Sequence, residues 1–164
     1  MNEVIALRAE EMATMLLTAT QEVFTSMLGS DVQQLPEPAP KEHESFDGVL
    51  SLIGLTGCLI GNGGFVCSAE AACSLSALML CAEFPHVDEQ VLDSVGEITN
   101  MIIGGFKNLL EGQVGRLQMS IPSVICGKNI SMRDSKAGIT IAVRCAFSGG
   151  EFGLTVHLTP ARPQ

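Results

Sequence analysis

Three patterns in this sequence predict an α+β fold, a mainly antiparallel β-sheet packed against long amphipathic α-helices. Residues 3–28 and 88–111 repeat apolar side chains at helical spacing. The last third of the chain alternates apolar and polar residues with a period of two. Residues 48–69 carry no charged side chain and six glycines, a composition suited to buried strands joined by a turn. Alternation means that the two faces of a sheet are covered differently, which favours antiparallel pairing. Helices laid on one face complete the layers.

The elements follow in order. Residues 3–28 form a helix with Met12, Met15, Leu16, Ala19, Val23 and Met27 on its buried face, the methionines acting as core filler. Residues 29–47 hold Pro36, Pro38 and Pro40 among acidic residues and read as a loop. Segments 49–55 and 58–68 read as strands. Within the second, Gly61-Asn-Gly-Gly64 lacks the lysine and the strand-to-helix context of a phosphate-binding loop, so an Asn-Gly turn or bulge is the better reading. Ser68 caps a short helix running to about Ala82. Asp88 caps the next helix, after the breaker Pro85, and Gly112 is its expected stop. Strands then carry three apolar faces: Leu117, Met119 and Ile121; Ile139 to Phe147; and Phe152 to Leu158. Turns are expected at 133–138 and 148–150, and residues 160–164 form a loose tail.

Composition excludes several functions. The 164 residues make one domain, 1–164, and 46% hydrophobic content supplies its core. With no Trp, no Tyr and a net charge of −9, a nucleic-acid surface is excluded, as is attraction to an anionic membrane. The uncharged stretch 48–69 has too many glycines and polar residues to insert in a membrane. No export signal opens the chain, so a cytoplasmic location is expected. Its six cysteines form no CxxC and no Cys/His zinc spacing, and they read as buried thiols rather than metal ligands. His43, His86 and His157 are scattered and read as structural or solvated.

One helix carries a pattern beyond folding. At about 100° per residue, Asp93, Glu97, Asn100, Gly104, Lys107 and Glu111 fall within about 40° of one line. Val91, Leu92, Val95, Ile98, Ile102, Ile103, Phe106, Leu109 and Leu110 oppose them. Solvation alone accounts for most exposed Glu and Asn residues. Two mid-helix glycines, Gly104 and Gly105, are harder to explain by solvation, since each costs about 1 kcal/mol relative to Ala. Gly104 leaves room for something to approach Asn100 closely, while Gly96 and Gly105 allow close packing on the flanks.

The run Asp93-Ser-Val-Gly-Glu97-Ile-Thr-Asn100 resembles the signature of the CheC/CheX/FliY phosphatases of bacterial chemotaxis, with Pro122 as its downstream proline. Residues 22–29, 51–57 and 121–127 are similar to CheX-like members in particular. A second signature would fall at Glu10-Glu11-Met-Ala-Thr14, where Thr replaces the needed Asn, so one active site is expected. CheX-like members carry Gly-Asn where this chain has Gly104-Gly105.

The resemblance implies removal of the aspartyl phosphate of a CheY-like response regulator. Asn100 would hold the attacking water in line, since a carboxamide donates and accepts without charge. Glu97 would dock on a cation of the regulator, its active-site lysine, and Asp93, Gly104 and Lys107 would border the contact. The Mg2+ would belong to the regulator, leaving no cofactor and no metal ligand to this chain. A homodimer is implied as well. The alternative is a non-catalytic adaptor or flagellar-switch-type binding module of the same ancestry, which a buried or occluded Asn100 would favour.

Overall fold

The structure, a computed structural model, describes residues 9–36, 45–135 and 137–162. Helix α1 (Ala9–Val23) runs into a π-helical turn (Phe24–Leu28), and residues 3–8 of the expected first helix lie outside the described residues. Next come β1 (Val32–Leu35), β2 (Phe46–Gly57), β3 (Leu59–Cys67), α2 (Ala69–Leu80) and α3 (Glu89–Val114). Four strands follow: β4 (Leu117–Met119), β5 (Ser123–Ile130), β6 (Ile139–Phe147) and β7 (Gly150–Pro160). The seven described strands pair antiparallel in one sheet of order β1-β6-β7-β3-β2-β4, with β5 beside β2. Strand β5 shares the outer edge of β2 with β4, taking Phe46–Leu52 while β4 takes Leu55–Gly57. The α+β reading with an antiparallel sheet and amphipathic helices therefore holds.

The alternation in β6 and β7 places Ile141, Val143, Cys145, Phe147, Phe152, Leu154, Val156 and Leu158 in the core beneath the helices. At one end Phe24, Phe152 and Phe65 stack, with centroids 5.2 and 4.9 Å apart, and Phe147 meets Phe24 edge-on. At the centre, α3 buries Val91, Val95, Ile98, Ile102, Ile103, Phe106 and Leu110 against the sheet and α1. Its buried Ser94 and Thr99 hydroxyls donate to carbonyls one turn back, so burying them leaves no orphan donor. Ser68 and Asp88 cap α2 and α3 as expected, accepting from Ala71 N and Val91 N.

Several expectations need correction. Strand β1 lies within 29–47, which read as loop; residues 37–44 of that stretch are outside the described residues. Its four residues, Val-Gln-Gln-Leu, carry no period-two alternation, and pairing with Phe147 to Arg144 supplies the order. Gly61 to Gly64 make no turn; they run through mid-β3 between β2 and β7. The glycines answer close approach: a Cβ at Gly63 would sit 2.7 Å from Ile103 Cδ1. Helix α3 passes Gly112 and ends at Gly115, where φ is 104°. Met27 and Leu109, expected on buried helix faces, are 57% and 43% exposed. Ile121 belongs to no strand, because Pro122 has no N–H to continue the ladder. Pro160 pairs with Leu59, and Ala161 N donates to Cys58 O, so that part of the tail is tied down. Cys81 and Cys126 are exposed, not buried.

Close packing at Gly63 gives a paired test. Gly63→Ala should destabilise by about 1–3 kcal/mol through overpacking on Ile103. Gly112→Ala, whose Cβ meets nothing within 4 Å, should stabilise α3 by about 0.5–1 kcal/mol. Urea unfolding of both variants checks the signs.

Candidate functional site

Helix α3 sets the expected line as a ridge that sinks along its length. Asp93 and Glu97 are exposed, whereas Asn100, Gly104, Lys107 and Glu111 are half-buried. The side chains of Asp93, Glu97 and Asn100 have no hydrogen-bond or ion-pair partner among the described residues. Asn100 is half-buried and keeps part of its surface open to solvent.

Two grooves flank the ridge. The wider, about 580 Å³, lies between α3 and β5 and is lined by Glu89, Leu92, Asp93, Glu97, Pro122 and Val124. The narrower, about 340 Å³, lies towards the end of α2 and is lined by Met79, Leu80, Gln90, Asp93, Ser94 and Glu97. Asp93 and Glu97 border both, so the acidic pair is a crest between two half-apolar channels. Gly96 makes the wider groove possible, because a Cβ there would lie 3.2 Å from Val124 Cγ2 and 3.5 Å from Pro122 Cγ. The expected proline thus stands beside the expected carboxylates, though 25 residues or more separate them in sequence.

Gly104 and Lys107 differ from expectation. Met119, on β4, fills the space beside Gly104, its Cε 3.6 Å from where a Cβ would stand. That is ordinary contact, so Gly104 is not an open socket. Lys107 Nζ pairs with Glu111 Oε1 at 3.1 Å, and the same oxygen accepts from Leu117 N at 2.8 Å. This clasp steers the chain out of α3 into β4. The Leu117 N–H, then Lys107, hold the Glu111 carboxyl below its usual pKa.

The remaining chemistry is structural. Burial pushes the Cys67 thiol up to about 12 and that of Cys145 to about 11, so neither is a nucleophile at neutral pH. His157 is buried between Thr140 Oγ1, 2.8 Å from Nδ1, and Ser135 Oγ, 3.4 Å from Nε2. Sequence reasoning missed the walls Leu80, Met79 and Val124, which come together only through folding. Ile121-Pro122 was the available signal, since a proline ends the ladder where the apolar alternation asks it to continue.

The clasp has a pH signature. A carboxyl whose folded pKa is lowered contributes stability above its unfolded pKa and loses it as pH falls through the folded value. Glu111→Gln should therefore flatten part of the acid limb of a stability-versus-pH curve while leaving the alkaline limb unchanged, as thermal unfolding across that range would show.

Among the described residues, no helix is long and apolar enough to cross a membrane. The chain is 26% identical over 146 residues to the CheY-P phosphatase CheX of Thermotoga maritima, covering 88% of this chain and 92% of that protein. The fold matches the chemotaxis protein CheX of Desulfovibrio desulfuricans with a TM-score of 0.80 at 26% identity, over 91% of this chain and 99% of the other. It also matches a CheX-CheY-BeF3-Mg2+ complex from Borrelia burgdorferi, with a TM-score of 0.72 at 21% identity over 88% and 96% of the two chains. The family described as chemotaxis phosphatase CheX matches residues 49–145, more than half of the sequence and the whole of α3, and the chain belongs to that family.

Proposed function

We propose that this protein hydrolyses the aspartyl phosphate of a CheY-like response regulator. The observation that carries the reading is Asn100 on α3, half-exposed and without an intramolecular partner among the described residues, one turn from the free carboxylate of Glu97. The Thermotoga relative is a CheY-P phosphatase, and the Borrelia neighbour was captured with CheY, which supports the same partner here.

Phosphoryl transfer asks the phosphatase chiefly for position. Asn100 reaches the partner's phosphate and holds water in line, accepting from the water and donating towards developing charge. Glu97 pairs with a cation of the regulator, its active-site lysine, and fixes the depth of insertion. Asp93 extends the same contact. Mg2+ sits in the regulator and neutralises the phosphoryl oxygens there. The partly exposed Asn100 favours this reading over a non-catalytic adaptor, for which an occluded Asn100 would have spoken. The proposal includes a cytoplasmic location and a homodimer. Strand β5 pairs only with β2 among the described strands, and such an unpaired edge is able to receive a second chain.

The test is the decay of a phosphorylated CheY-like receiver with Mg2+, with and without this protein. Asn100→Ala should lower kcat by roughly 10²- to 10³-fold, as loss of a preorganised transition-state contact does. Glu97→Ala should raise KM about tenfold and weaken the dependence of KM on ionic strength. Unchanged decay in both variants would overturn the reading.

A further inference from the structure

Two large exposed apolar side chains belong to the segments that wall the two grooves beside the acidic crest. Ile121, 86% exposed, precedes Pro122 on the wall of the wider groove; Leu80, 46% exposed, lines the narrower one. Single exposed apolar residues are ordinary. These two belong to the walls of grooves on one ridge, Ile121 through its neighbour Pro122, and the backbone at Ile121 is held firmly. Ser120 N donates to Gly54 O at 2.9 Å, its Oγ accepts from Gly54 N at 2.8 Å, and the same hydroxyl donates to Ile121 O at 3.0 Å. On the other side Pro122 packs over Gly96. With both neighbours anchored, Ile121 is presented to solvent at little further entropic cost on binding.

We propose that Ile121 and Leu80 are the two apolar anchors of a clamp that seats the phosphorylated receiver across the crest of α3, with Asp93 and Glu97 meeting a cation between them. The inference rests on the phosphatase reading for the identity of the partner. Charge selects that occupant over a second copy of this chain. Among the described residues no Lys or Arg lines either groove, whereas Glu89, Asp93 and Glu97 do. Two copies joined face to face by a two-fold axis would set these carboxylates against their own counterparts. A partner face with a cation among apolar side chains matches both features. Apolar anchors flanking a charged contact also exclude water from it, which strengthens the ion pair at the centre.

The test compares Ile121→Ser, Leu80→Ser, the double variant and Asn100→Ala with the wild-type protein. Two quantities are read: affinity for a CheY-like receiver loaded with beryllofluoride and Mg2+, and turnover of the phosphorylated receiver. Each serine variant should weaken binding about tenfold and raise KM in parallel, with kcat within about twofold of wild type; Asn100→Ala should show the reverse split. Both replaced side chains are exposed, and unchanged circular dichroism and melting temperature confirm that the fold is intact. Affinity within about twofold of wild type in all three serine variants overturns the clamp, whatever turnover does. Binding that falls in Ile121→Ser, in a wild-type protein that never speeds decay, upholds the clamp and overturns the phosphatase reading. A wild-type protein that neither binds nor accelerates overturns both. Sedimentation in which Ile121→Ser abolishes self-association, with receiver affinity unchanged, assigns the surface to a second copy and overturns the clamp.

Discussion

Everything at the candidate site depends on how closely α3 can be seated. The helix must bury one face completely and still carry a crest of polar groups into solvent. Three glycines set its distance from its neighbours. Gly63 of β3 lets Ile103 press onto the sheet, Gly105 lets Ala19 of α1 come within 3.2 Å of where a Cβ would be, and Gly96 admits Val124 and Pro122 of the β5 wall. Each gap suits a hydrogen in place of a methyl, and interiors at crystalline density transmit a methyl-sized change to the surrounding elements. A helix lifted from this seat would move the carboxylate crest away from Pro122, and the wider groove would lose its shape before the core lost its cohesion.

Much of this fold was legible because its signals are local. Period two in β6 and β7, the 3.6-residue period in α3, and the caps Ser68 and Asp88 each arise within a short window of sequence. The misread elements are those whose structure is set from a distance. Strand β1 has only Val32 to Leu35 and exists as the partner of β6. Gly61 to Gly64 look like a turn because turns and crowded strands call for glycine for different reasons, and only the position of Ile103 distinguishes the two. Gly112 and Gly115 lie three residues apart near one helix end, and the clasp of Lys107 and Leu117 N–H on Glu111 carries the helix past the first.

The site divides along the same line. Asp93, Glu97 and Asn100 share a helix face by arithmetic alone, and the structure keeps them together and, among the described residues, unpartnered. Lys107 shares that arithmetic, yet its charge is engaged by Glu111 four residues on, a pairing that the i,i+4 spacing also allows. Helical spacing therefore places residues on a face without saying which of them remain available. Beyond the signal at Ile121-Pro122 the grooves have no local signature: Leu80 ends α2, Val124 lies in β5, and only folding brings them beside α3. Alternation groups Ile121 with Leu117 and Met119 on one strand face, and the proline after it is the reason it lies outside any strand.

An acidic protein acting on a phosphorylated partner has an electrostatic problem, and the ridge contains a solution to it. Two unit charges about 4 Å apart near a protein surface repel by roughly 4 kcal/mol. A carboxylate placed against the phosphate would cancel much of what docking gains. Along α3 the two roles are divided between adjacent turns: Glu97 stands exposed at the crest, and Asn100 lies half-buried about 4.5 Å further along the axis. On the proposed reading only the neutral carboxamide meets the phosphoryl group, while the charge meets a cation beside it. On the proposed reading, the fold's contribution to catalysis is this separation. Close packing of α3 at Gly63, Gly96 and Gly105 would keep that separation constant, so that the proposed amide could place one water molecule.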